Sequence, residues 1–173
     1  MDKRFDEFFK DIIRHEGGYS NHPNDSGGET KYGISKRAYP HLDIKNLTPE
    51  QAKVIYYYDY WVKGHFDKVA KISFQIATKV CDIAINCGIK PAHRMLFKAL
   101  DMLNYKNIVS IGEDCLIALK DVVDKGIKDV FINNVISLQK EYYIGIVNKH
   151  PKNKVFLEGW LKRAEYKGVV KYG

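Results

Sequence analysis

Apolar residues recur at helical spacing from the start of the chain. Phe5, Phe8, Phe9, Ile12 and Ile13 share one face, with charged residues between them, and predict an amphipathic first helix. Gly17-Gly18 stops it and leaves Glu16 on its last turn or just beyond. Residues 19–35 hold too many Gly, Asn, Pro and Ser for helix, and read as an irregular hairpin turning near Asp25-Ser26-Gly27-Gly28. Thr48-Pro49-Glu50-Gln51 opens the next helix: Thr48 caps it, Pro49 suits the first turn, and Gln51 closes a capping box. From Ala52 to about Val62 this helix lacks a clean polar face, the pattern of a central, buried helix.

The rest of the chain is patterned as helix. Ile72, Ile76, Val80, Ile83 and Ala84 define one that Gly88 ends. Pro91 opens another, carrying Ala92, Met95, Leu96, Ala99, Leu100 and Leu103. Three more cover about 113–125, 128–149 and 153–167, with Pro151 parting the last two and Gly168 closing the final one. The expected fold is mainly α (α+β): a helical bundle around a central buried helix, with a small β-hairpin after the first helix. No repeat or long linker interrupts it, so residues 1–173 read as one compact domain with sequence halves 1–85 and 86–173.

Composition narrows the function classes. A chain of 173 residues, 45% hydrophobic and with mean hydropathy −0.36, is long enough to bury a sizeable core. No stretch approaches the roughly 20 apolar residues that span a bilayer, so no stable membrane insertion is expected. The charged start Met1-Asp2-Lys3-Arg4 leads into no signal-peptide core, which points to synthesis in the cytoplasm. Three cysteines, Cys81, Cys87 and Cys115, form no CxxC pair and read as buried thiols. A net charge of +7 favours anionic partners. The cations are scattered, however, and no nucleic-acid motif accompanies them, so nucleic acid is not the expected partner.

The candidate chemistry gathers where the first helix ends. Glycosidic hydrolysis needs a carboxylic acid to protonate the leaving oxygen and a polar group opposite to hold the attacking water. Glu16 supplies the acid, and Gly17-Gly18 clear the bulk that would keep a sugar chain away. Partial burial is what would keep such an acid protonated near neutral pH. Asp25 and Thr30 are the candidates for holding the water, an arrangement that sets carboxyls roughly 6.5–9.5 Å apart and inverts the anomeric carbon. Read alone, Glu16 also fits a solvated helix-end charge and Asp25 an Asx turn.

Tyr19 and Tyr32 flank this loop, where an exposed ring can stack on a pyranose face, whereas Tyr56, Trp61, Tyr142 and Trp160 read as core. His15, His22 and His41 do not make a metal site: Gly17-Gly18-Tyr19 follows His15-Glu16 and breaks the HExxH pattern. No GK[ST] closes the glycine-rich loop as a phosphate cradle. No metal and no cofactor are expected.

The spacing Glu16, Asp25, Thr30 resembles the Glu-Asp-Thr pattern of phage-type lysozymes, with one residue fewer between Asp25 and Thr30. The fuller string E-G-G-Y-x-N-x-P-x-D-x-G-G-x-T-x-x-G-I over residues 16–34 resembles the N-terminal signature of glycoside hydrolase family 108. That family contains phage-derived muramidases and proteins named secretion activators. Residues Cys81-Asp82-Ile83-Ala84-Ile85-Asn86-Cys87-Gly88 resemble its F-D-x-A-V-N-x-G stretch, with Cys81 where an aromatic is usual. Phe156 to Arg163 is similar to the F-x-x-G-W-x-x-R of the peptidoglycan-binding region commonly fused to it.

The resemblance implies a lysozyme-like fold whose hairpin lines a substrate cleft. It also implies cleavage of the β-1,4 bond between N-acetylmuramic acid and N-acetylglucosamine by a phage or prophage endolysin. The catalytic residues would be Glu16, Asp25 and Thr30. Tyr19, Tyr32 and Asn86 would bind substrate, Asn86 through an acetamido group, although a helix C-cap explains Asn86 equally well. The expected partners are peptidoglycan glycan strands and a holin or secretion system for export, the protein acting as a monomer. The alternative on the same scaffold is a peptidoglycan-binding or secretion-activator protein that does not cut.

Overall fold

Helix α1 (Phe5–Glu16) buries Phe5, Phe8, Phe9 and Ile12, the face its spacing predicts. Asp6 and Glu7 sit in its first turn, where negative charge complements the helix dipole. Gly17 ends it at φ +76°, its N–H reaching the Ile13 carbonyl at 3.0 Å. The computed structural model describes residues 1–23 and 27–173. The chain divides into two compact units, Met1–Trp61 and Val62–Gly173.

In the first unit, strands β1 (Thr30–Lys31) and β2 (Ile34–Ser35) run antiparallel, with Thr30 opposite Ser35 and Lys31 opposite Ile34. Between them Tyr32 and Gly33 both take positive φ, +53° and +77°, the two-residue turn whose twist matches paired strands. Thr30 also bridges back to Ser20, the two exchanging backbone N–H···O bonds of 2.8 Å. Of the turn expected at Asp25-Ser26-Gly27-Gly28, Asp25 and Ser26 lie outside the described residues.

Helix α2 (Pro49–Tyr56) carries the predicted capping box: the Gln51 N–H donates to Thr48 Oγ1 at 3.2 Å, and the Thr48 N–H to Gln51 Oε1 at 2.9 Å. The expected continuation to Val62 is a π-helical segment, Tyr57–Val62. Tyr56 and Trp61, five residues apart, are therefore one π-turn apart, and both are buried. Trp61 meets Phe5 and Phe8 with ring centroids 5.4 and 5.9 Å away, at the heart of this unit's core. Val54 and Tyr58 are exposed, so this helix is not buried all round as its pattern suggested.

The second unit holds α3 (Phe66–Val69), α4 (Phe74–Cys87), α5 (Ile89–Asp101), α6 (Glu113–Asp124), α7 (Lys128–Lys149), a short 3₁₀ turn (Pro151–Asn153) and α8 (Lys154–Ala164). The central helix is α4: every residue from Phe74 to Ala84 is buried, with α3, α5 and α7 packed on it. Ser73 caps it, accepting from the Ile76 N–H at 3.2 Å. Tyr142 and Trp160, expected in the core, are only half-buried, and the core position belongs to Tyr143. Periodicity alone does not choose between adjacent tyrosines on a long helix.

Candidate active site

Glu16 occupies the last position of α1 and is half-buried. Its surroundings follow from one glycine. A Cβ built on Gly33 would lie 2.8 Å from both Glu16 Cβ and Glu16 Oε2, and 2.5 Å from the Tyr56 hydroxyl oxygen. The hairpin turn therefore sits directly on the carboxylate, at a separation that only a residue without a side chain allows. The Tyr56 hydroxyl donates to the Tyr32 carbonyl at 2.6 Å, tying the end of α2 to the same turn. Helix end, hairpin turn and tyrosine hydroxyl thus meet around one carboxyl group. Gly17 and Gly18, by contrast, have no described residue within 4 Å of where a Cβ would stand, so none of those residues crowds the chain after Glu16.

The other expected site residues fall out differently. Thr30 is at the crossing of its two backbone pairings, to Ser20 and to Ser35, which hold it within the hairpin whose turn covers Glu16. Asp25 lies outside the described residues. Tyr32 lends its carbonyl to Tyr56, and its ring lies 5.4 Å from the Lys31 ammonium. Tyr19 is exposed and donates its hydroxyl to Glu29 at 2.9 Å, a bond that raises its pKa above the usual tyrosine value.

Asn86 belongs to the second unit, on the last turn of α4. Its amide donates to the Tyr143 hydroxyl, and its carbonyl oxygen accepts from Arg163 Nη1 at 3.4 Å. The C-cap of α4 is Gly88, not Asn86. Around it runs a network that sequence reading missed. Arg163 Nη2 donates to Asp82 Oδ1 at 3.1 Å, with Asp82 fully buried. Lys79, also fully buried, donates to Gln139 Oε1 at 2.8 Å and to the Ala164 carbonyl at 2.9 Å. Burial lowers the Lys79 pKa to about 8. The signal available was Asp82, Asn86 and Arg163 standing in the two motif stretches, but nothing local says that they touch.

Among the described residues no group of three or more His, Cys, Asp or Glu is placed to hold a metal. None of their helices is long and apolar enough to cross a membrane.

A mainly helical chain with a small hairpin after its first helix is a lysozyme-like protein by architecture. Residues 9–88 match the family profile described as Glycosyl hydrolase 108, and residues 92–165 match one described as Predicted Peptidoglycan domain. The chain is thus similar to a glycosyl hydrolase 108 segment followed by a peptidoglycan domain, in the two regions that hold the motifs around Glu16 and Trp160. No curated protein matches it in sequence. Among solved structures, that of Brucella abortus SagA is similar in fold: TM-score 0.67 at 24% identity, covering 95% of each chain.

Proposed function

We propose that this peptidoglycan-acting protein is a muramidase that hydrolyses the β-1,4 bond between N-acetylmuramic acid and N-acetylglucosamine. The observation that carries the reading is the seating of Glu16: a half-buried carboxyl at a helix end, closely overlaid by the Gly33 turn and with no described residue crowding Gly17 or Gly18. Glu16 donates its proton to the glycosidic oxygen as the bond to the anomeric carbon breaks. Water held by Asp25 and Thr30 attacks that carbon from the opposite face and passes its own proton to Asp25, which inverts the configuration. Tyr19 and Tyr32 bind the sugar by stacking their rings on it. In its setting the protein is a monomeric phage or prophage endolysin, released to the wall by a holin or a secretion route.

Mass spectrometry of digested peptidoglycan tests the reaction. The wild type is expected to release fragments ending in a reducing N-acetylmuramic acid, and Glu16→Gln to be slower by about 10²–10⁴-fold. Near-wild-type cutting by Glu16→Gln would end the assignment of the acid, and a β-configured first product would end the water-holding role of Asp25 and Thr30. A second reading, a peptidoglycan binder that does not cut, is favoured by the match of residues 92–165 alone. Wall binding with no fragment released by the wild type would select it.

A further inference from the structure

The tyrosine that ties the hairpin to the Glu16 end of α1 is buried too deeply to touch a sugar. Tyr56 is 2% exposed, with its ring centroid 6.4 Å from that of Phe9 on α1 and 5.7 Å from that of Tyr60. Its hydroxyl does more than fill a core, because it donates to the Tyr32 carbonyl at 2.6 Å. Tyr32 and Gly33 are the two residues of the turn that overlies Glu16. A single point, where a Cβ on Gly33 would stand, is 2.5 Å from the Tyr56 oxygen and 2.8 Å from Glu16 Oε2. Any movement of the turn is therefore felt at both oxygens.

The backbone after Tyr56 makes this reach compatible with the core. On a continuous α-helix residues 56 and 61 fall on different faces, since five residues overshoot a turn of roughly 3.6. Tyr56 and Trp61 nevertheless both pack on α1, Tyr56 on Phe9 and Trp61 on Phe5 and Phe8. The π-helical segment Tyr57–Val62 absorbs the extra residue, a device frequent at functional sites. Trp61 thereby anchors the segment near the start of α1, while Tyr56 meets α1 nearer its Glu16 end.

We propose that Tyr56 is a positioning residue for glycoside hydrolysis: through the Tyr32 carbonyl its hydroxyl holds the Gly33 turn on Glu16 and fixes the stance in which that carboxyl meets the glycosidic oxygen. The proposal rests on the muramidase reading above, in which Glu16 is the acid. Tyr56 acts through the turn and touches no reacting atom. Removing its hydroxyl leaves the ring and its packing in place but frees the turn to shift over the carboxyl group. Misplacing a reacting group by about 1 Å costs on the order of 10²-fold in rate, so a smaller shift is expected to cost about tenfold. A group that sets the geometry of reaction, not the grip on the sugar, lowers kcat and leaves KM in place.

The test compares Tyr56→Phe with Thr48→Ala in the full chain, on soluble glycan strands released from peptidoglycan, with kcat and KM measured at 25 °C. Thr48 caps the same helix, so its loss is a stability control that leaves the hairpin turn alone. Each variant is expected to melt about 2–4 °C below wild type and to be folded at the assay temperature. Tyr56→Phe is expected to lower kcat about tenfold with KM within about twofold of wild type, while Thr48→Ala keeps the wild-type kcat. A Tyr56→Phe chain that turns over at the wild-type rate overturns the proposal and leaves the muramidase reading standing. Equal losses of kcat in the two variants overturn it as well, because lost stability then explains both. A rise in KM with kcat unchanged overturns it in favour of a role in binding. A wild type that binds the strands and cuts none ends the muramidase reading, and the positioning role falls with it.

Discussion

Replacing Gly33 with alanine should cost more than replacing any glycine at the open end of α1. Gly33 has φ +77°, and a side chain there carries a backbone penalty of about 1–2 kcal/mol. The added Cβ also falls 2.5 Å from the Tyr56 hydroxyl oxygen and 2.8 Å from Glu16 Oε2, so the turn, the tyrosine or the glutamate must shift. Overpacking of that kind costs about 1–3 kcal/mol, and losing the Tyr56–Tyr32 hydrogen bond about 1 kcal/mol more. The sum is about 3–6 kcal/mol, or a melting temperature lower by about 10–20 °C for a chain of this length.

Gly17 also has positive φ but no described residue within 4 Å of its Cβ position, so Gly17→Ala should cost only the backbone strain of about 1–3 kcal/mol. Gly18 has neither constraint, and Gly18→Ala should stay within about 0.5 kcal/mol of wild type. Thermal unfolding of the three variants gives the order. Tyr56→Phe then supplies the internal control: it removes the hydroxyl oxygen that the new Cβ would strike, so the double variant should be less unstable than the two single losses added together. Strictly additive losses, or a Gly33→Ala chain that melts with Gly18→Ala, would refute the packing argument. Because the displaced atoms include those of Glu16, Gly33→Ala should also slow peptidoglycan digestion by more than its unfolded fraction explains.

Three further outcomes follow from the same geometry. Arg163→Leu leaves the fully buried Asp82 carboxylate without its guanidinium partner and should cost about 3–5 kcal/mol in denaturant unfolding, whereas Lys120→Ala at an exposed pair should cost under about 0.5 kcal/mol. Burial pushes the Cys115 thiol up to about 12 from an ordinary 9.0, so the unfolded chain loses that proton first. The stability this contributes is whole below pH 9 and drains as pH rises towards 12, by about 1.4 kcal/mol per pH unit; Cys115→Ala should flatten the alkaline limb by that slope. Lys79 acts in the opposite sense: its pKa of about 8 lies below the ordinary 10.5, so its share of stability rises from pH 8 to 10.5, and Lys79→Met should remove that rise.

Much of this molecule was legible in local pattern. The face of α1, its stop at Gly17, the capping box of α2 and the helices after Gly88 all depend on residues within one or two turns of each other. So does the place of Glu16, since a helix end is a local event. The hairpin was expected, but its tight turn was not seen at Tyr32-Gly33, because a tyrosine at positive φ gives no compositional warning. Nor did periodicity show that the helix after Thr48 would widen into a π-turn and leave Val54 and Tyr58 in water.

From its residues alone, then, this chain settles where its helices begin and end and which carboxyl stands at the exit of the first. Tertiary packing decided what surrounds that carboxyl, which helix is central and which aromatic rings stay wet. Asp82 meets Arg163 across 81 positions, and Tyr56 meets Tyr32 across 24. Such contacts reward closure of a long loop, an interaction that no short window of sequence contains.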